Sequence, residues 1–156
     1  MKTALVFPPQ WYPSQPYLAL PTLKAYLETK GHEVDQFDFN VESYDFFLSR
    51  DYLEYCVKKI DARLTNSVRS HEDREIEPIH RQILEDTVYL ETILSGIDDA
   101  KQVLRDEELF FQFEEYKNAY TTLKVAMQLI SYAHYPSKID LDSLFMKGNP
   151  EENLQG

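Results

Sequence analysis

The sequence predicts a helix-rich α/β chain: an N-terminal βαβ unit, an incomplete Rossmann-like layout, followed by a cluster of about four helices. Three observations carry that prediction. Thr3–Phe7 is a short unbroken apolar run, as in a strand buried on both faces. Glu33–Phe39 alternates, with Val34, Phe37 and Phe39 set among polar residues. From about Ser43 to His134 the apolar residues step by three or four, the period of an amphipathic helix.

Between the two strands lies a proline-rich loop, Pro8 to Pro16, and then a helix carrying Leu20, Leu23, Ala25, Tyr26 and Leu27. Pro21 is tolerable only in that helix's first turn, and Gly31 stands where a C-terminal cap belongs. A right-handed crossover makes the two strands parallel neighbours. Further on, Leu53, Cys56, Val57, Ile60, Leu64 and Val68 define one helical face. Ile76, Ile79, Ile83, Leu90 and Leu94 define a second, which requires Pro78 in its first turn. Val103, Leu104, Leu109, Phe110, Phe113, Tyr116, Tyr120, Leu123, Met127 and Ile130 supply a third and a fourth. Asp98 is read as a start signal after Gly96. Pro136 closes the helical stretch, and Ile139 and Leu141 suggest an edge strand or extended chain. The domain reading is therefore 1–42 for the βαβ start, 43–136 for the helices and 137–156 for an extended tail.

Composition narrows the function classes. The chain of 156 residues has 43% apolar residues, enough for a core. Its four glycines do not supply the closely spaced set a phosphate loop needs. A net charge of −11 argues against nucleic acid, because phosphate binding requires a Lys/Arg excess. The lone Cys56 excludes an intramolecular disulfide and any thiolate cluster built by this chain. The opening apolar run stops at Pro8, too short for a signal peptide or a membrane span, so no membrane role and a cytoplasmic location are expected.

In an open parallel sheet, ligands bind beyond the carboxyl ends of the strands. Here that edge carries Pro8, Pro9, Gln10, Trp11, Tyr12 and Pro16 with neighbouring Leu18, and Asp38 and Asn40 from the second strand. Trp11 and Tyr12 suit stacking on a planar ligand, and Asn40 suits an amide. The competing reading gives the prolines to a tight crossover, the aromatics to the core and Asp38 to a turn cap. His32 falls at the opposite, amino edge. His71 lies in the charged run Ser70–Glu75, read as a solvated helix junction. Glu77-x-x-His80 is one copy of a motif that di-iron bundles use twice, so no metal site is assigned. His134 is expected to pack or cap, and Cys56 to act as a small hydrophobe. No catalytic residue is nominated. The aromatic series Phe110, Phe111, Phe113, Tyr116 and Tyr120 is expected in the core; left exposed, it would mark a docking face.

The blocks Ala4-Leu5-Val6-Phe7-Pro8-Pro9, Pro16-Tyr17-Leu18-Ala19-Leu20, Leu23-Lys24-Ala25-Tyr26-Leu27, Gly31-His32-Glu33-Val34 and Asp38-Phe39-Asn40 resemble, in order and spacing, the opening of cobalamin-binding radical-SAM proteins. Tyr132 to Ile139 looks like that family's link after its inserted helices. The resemblance implies cobalamin at the strand tips. It also implies a downstream radical-SAM domain of the same protein holding the iron–sulfur cluster and S-adenosylmethionine, and a small-molecule substrate. This chain departs from the methyl-transfer pattern: Pro-Gln-Trp-Tyr-Pro stands where Asp-x-His-x-x-Gly is usual, and the three-cysteine motif is missing. The implied role is positioning, not bond breaking. Two strands do not complete a parallel sheet, so further strands are expected beyond Gly156. The rival is a helical protein–protein interaction module with a structural βαβ start. Receiver-like and flavodoxin-like binders are disfavoured for want of an acidic tip cluster or a phosphate loop.

Overall fold

The computed structural model describes residues 2–9, 17–66, 71–141 and 144–145. It is a helix-rich α/β chain that divides into two compact units, residues 1–46 with 141–143, and residues 47–140 with 144–156. Among the described residues, no helix is long and apolar enough to cross a membrane.

The first unit is a βαβ unit extended by a helix. Strands β1 (Lys2–Phe7) and β2 (Glu33–Asp38) pair in parallel, from Lys2 opposite Glu33 to Phe7 opposite Asp38. Helix α1 (Ala19–Thr29) connects them, with Pro21 in its first turn, where a missing N–H costs no helical bond. Its end is a Schellman turn: Gly31 N–H donates to the Glu28 carbonyl (3.0 Å) and His32 N–H to that of Leu27 (3.2 Å). That turn requires a left-handed residue, and Gly31 has φ +78°. Helix α2 (Phe39–Phe47) follows β2 directly, which carries the first unit four residues past the boundary at 42 read from the sequence.

The buried set of this unit is small: Leu20, Val34, Asn40, Tyr44 and Leu141. Register places Thr3, Leu5, Phe7 and Val34 on one sheet face and Ala4, Val6 and Phe37 on the other. The first face is covered at least in part, since Thr3, Leu5 and Phe7 are half-buried and Val34 is buried. On the second, Ala4, Val6 and Phe37 are all exposed.

Among the described residues, the second unit has four helices: α3 (Arg50–Thr65), α4 (His71–Glu85), α5 (Thr87–Arg105) and α6 (Phe113–Ala133). A short 3₁₀ turn, Leu109–Phe111, precedes α6, and β3 (Lys138–Ile139) pairs antiparallel with β4 (Leu144–Phe145). Side-chain caps set the breaks. Ser49 Oγ accepts from Tyr52 N–H and starts α3; Asp86 Oδ1 accepts from Tyr89 N–H and starts α5. Asp106 Oδ1 accepts from the N–H groups of Glu108 and Leu109 and starts the 3₁₀ turn.

Four sequence expectations need correction. Leu90 and Leu94 belong to a new helix, because Asp86 interrupts a period that a seven-residue step conceals. Gly96 and Asp98 lie inside α5 rather than at a boundary. Pro78 lies well past the first turn of α4, which begins in the charged run read as a junction. The helix continues through the proline because its ring faces solvent and a buried stripe, Ile76, His80 and Ile83, holds the rest. The aromatic series is not core: Phe111 is 83% and Phe113 71% exposed, and α6 buries Ala119, Leu123, Ala126, Met127, Leu129, Ile130 and Ala133 instead. Val68 lies outside the described residues.

The two glycines predict opposite signs. No atom lies within 4 Å of a Cβ built on Gly31, so Gly31→Ala meets only the left-handed backbone penalty and is expected to destabilise by about 1 kcal/mol. Gly96 is helical, and a Cβ there would touch Thr122 Cγ2 at an ordinary 3.7 Å. Gly96→Ala is expected to stabilise by about 0.5–1 kcal/mol. Urea unfolding of the two variants checks both; a shared sign refutes the assignment.

Candidate functional site

The carboxyl tips of β1 and β2 end level with each other, since Phe7 pairs with Asp38. Pro8 and Pro9 leave β1 exposed. Tyr17 stacks on Phe7, with ring centroids 4.1 Å apart and planes 17° apart, which brings the start of α1 beside the β1 tip. Leu18, next in the chain, is 69% exposed. The structure thus gathers Pro8, Pro9 and Leu18 at the expected edge. Gln10, Trp11, Tyr12 and Pro16 lie outside the described residues.

The second strand's tip is occupied differently. Asp38 Oδ1 accepts from the N–H groups of Asn40 and Val41, both at 3.1 Å, and so caps the first turn of α2. Asn40 is buried, and a buried amide is held by its surroundings rather than offered to a ligand at the edge. Beside the tips, Val6 and Phe37 sit side by side on the exposed sheet face, and Phe39 lies 6.1 Å from Phe37, centroid to centroid. The described tip is therefore an apolar shelf. It offers no cobalt ligand, and His32 lies at the other end of β2.

The second unit holds a polar cluster that sequence reasoning missed. Tyr52, Cys56, Lys59 and Arg63 step by four, three and four along one stripe of α3. The stripe meets the end of α6, where His134 is the C-cap residue. Lys59 Nζ lies 3.0 Å from His134 Nδ1 and Tyr52 Oη 3.1 Å from Nε2; Arg63 donates to the Tyr135 carbonyl at 3.0 Å. An ammonium has no acceptor, so Nδ1 accepts from Lys59 and the ring proton sits on Nε2, donating to Tyr52. Burial lowers the His134 pKa below its ordinary value, and the cations of Lys59 and Arg63 lower it further. Burial likewise raises the Tyr52 hydroxyl and pushes the Cys56 thiol up to about 11, so Cys56 is inert at neutral pH. No local spacing in the sequence signals this cluster, because His134 stands 75 and 82 positions from Lys59 and Tyr52.

The Glu77-x-x-His80 motif serves packing. His80 is 1% exposed and its Nε2 donates to the Tyr132 carbonyl at 2.9 Å, while Glu77 accepts from Arg81 at 2.8 Å. Among the described residues, no group of three or more His, Cys, Asp or Glu is placed to hold a metal ion.

Compared with protein-family models, with curated proteins and with solved structures, the chain matches none.

The neutral imidazole makes stability pH-dependent. The unfolded His134 takes a proton near its ordinary pKa of 6.5, whereas the folded one resists it to lower pH. Its contribution is thus full above that value and is lost as the pH falls through the lowered folded pKa. Thermal unfolding of the native chain is expected to lose more stability between neutral and mildly acid pH than His134→Gln, whose amide keeps both hydrogen bonds without titrating. Parallel pH profiles would refute this role.

Proposed function

We propose that the chain is the cobalamin-domain start of a cobalamin-dependent radical-SAM enzyme, such as a methyltransferase or another C–H modifying enzyme. It helps to position cofactor or substrate and performs no bond breaking itself. The observation that carries this reading is the level parallel pairing of β1 and β2, with an apolar shelf at the tips and an exposed apolar sheet face beside it. Pro8, Pro9 and Leu18 form the shelf, Gln10, Trp11, Tyr12 and Pro16 stand between them in the sequence, and Asp38 and Asn40 fix the start of α2. Cobalamin, when bound, supplies the alkyl-transfer chemistry, and the iron–sulfur cluster and S-adenosylmethionine belong to the partner radical-SAM domain. On this reading a covering element packs on Val6 and Phe37, and burying these two half-exposed side chains would contribute on the order of 1 kcal/mol each.

A second reading, a helical protein–protein interaction module, is favoured by the exposure of Phe110, Phe111 and Phe113 at the start of α6. Titration of the chain with hydroxocobalamin, followed in the visible spectrum, separates the two. Half a cradle is expected to bind weakly, at high micromolar concentration or above, with binding lost in Leu18→Asp. Sub-micromolar affinity would mean that the cradle is complete in these residues. No spectral change at millimolar cobalamin would favour the interaction module.

A further inference from the structure

Residues 106–115 place five carboxylates and three phenylalanines in ten positions. They span the 3₁₀ turn and the first residues of α6. Local structure accounts for part of this composition. Asp106 caps the 3₁₀ turn, and Glu114 and Glu115 oppose the positive end of the α6 dipole. It does not account for the rings. Phe111, at 83%, is the most exposed large apolar side chain among the described residues, and Phe113 is 71% exposed. Phe110 lies edge-on to both Phe111 and Tyr116, with centroids 5.3 and 5.4 Å away, which links the turn's rings to those of α6. A phenylalanine presents on the order of 200 Å², so Phe110, Phe111 and Phe113 leave roughly 400 Å² of aromatic surface in water. That matches the largest apolar patch usual on a monomer, and such patches mark binding faces.

Charge decides what this face can meet. Between residues 105 and 117, Asp106, Glu107, Glu108, Glu114 and Glu115 stand against Arg105 and Lys117 only, an excess of three negative charges. The four glutamates are exposed. On α5, which packs against this end, Lys101 pairs with Asp98 at 3.3 Å and brings no net positive charge. An anionic membrane, a nucleic acid or the same face of a second copy would bring further negative charge and be repelled. An uncharged apolar partner would strip water from the carboxylates and return no hydrogen bond. A cation is held here already. Lys117 Nζ lies 6.0 Å over the Phe113 ring and 3.7 Å from Glu114 Oε2, so one ammonium meets a ring and a carboxylate together. Phe111 has no cation over its ring among the described residues.

We propose that this face docks a basic amphipathic segment of another protein. The segment's apolar side chains lie on Phe110, Phe111 and Phe113, and its Lys or Arg groups meet Glu107, Glu108, Glu114 and Glu115. Docking here rests on the interaction reading of these aromatics and is independent of cobalamin at the strand tips. The probe is an amphipathic helix of about 18 leucine and lysine residues, used below its self-association threshold. It is titrated into the full chain with the phenylalanine rings isotope-labelled. A leucine–glutamate peptide of the same pattern supplies the same apolar face with the opposite charge. The lysine peptide is expected to bind, to move the Phe111 and Phe113 rings but not Phe37, and to weaken as salt rises. The glutamate peptide is expected to bind about tenfold less tightly. Phe111→Ser with Phe113→Ser, and Glu107→Gln with Glu108→Gln, are each expected to cost about tenfold. All four side chains are exposed, so helical circular dichroism is expected to stay unchanged. Glu28→Gln with Glu42→Gln, an equal loss of charge in the first unit, is expected to change affinity by less than about twofold. Binding that moves Phe37 instead, or that both second-unit double variants leave unchanged, would overturn the proposal. So would a glutamate peptide bound to the same rings as tightly, an outcome that keeps the docking face and changes its partner. No binding of either peptide would overturn the proposal and the interaction reading together.

Discussion

The buried face of α6, running from Ala119 to Ala133, is what the second unit depends on. That face needs neighbours that approach closely, and Ala119, Ala126 and Ala133, spaced by seven, give it a small-residue stripe. Such burial raises the usual difficulty at a helix end, because the last carbonyls have no partners within the helix. Here other helices satisfy that end. His80 of α4 donates to the Tyr132 carbonyl, Arg63 of α3 to that of Tyr135, and Lys59 to the ring of the capping His134. Cations near a helix C-terminus also oppose its partial negative charge. The same contacts hold the turn after α6.

The first unit rests on a different constraint and satisfies it only in part. Parallel strands are normally buried on both faces because crossover helices cover them. With one crossover, α1, only one face is sheltered, and Val6 and Phe37 stay open on the other. An exposed apolar face beside strand tips that carry Pro8, Pro9 and Leu18 is the physical reason to read this unit as part of a larger binding layer. A purely structural βαβ unit would give no account of why the uncovered residues are aliphatic and aromatic. Lys2, which reaches both Glu33 and Asp35 on that same face, is confined to its amino end, away from the tips.

Strand pairing, the α1 cap and the presence of four long helices were legible because each follows from local pattern: an apolar run, a glycine after the last helical residue, a period near 3.6. What was not legible came from competition between local rules and tertiary packing. Proline is read as a first-turn residue, yet the buried stripe Ile76, His80 and Ile83 outweighs the missing bond at Pro78. A stripe containing histidine is invisible to an apolar count, which took Ile79 instead. Asp86 hid inside a continuous period because Ile83 and Leu90 are two turns apart. At the strand tips, position was legible but commitment was not: nothing in Asp38-Phe39-Asn40 distinguishes an exposed polar edge from a cap with a buried amide. The Tyr52, Lys59 and His134 cluster joins residues some 75 positions apart, beyond the reach of any spacing rule.

Charge sets the last condition on what the second unit can bind. With 27 carboxylates against 16 Lys and Arg, a large polyanion would meet repulsion over its whole approach. A single carboxylate is screened from that field beyond roughly 8 Å at physiological salt, so its affinity reflects the groups it touches. Individual lysines can therefore act locally despite the chain's sign. Net acidity thus disfavours a polyanionic partner.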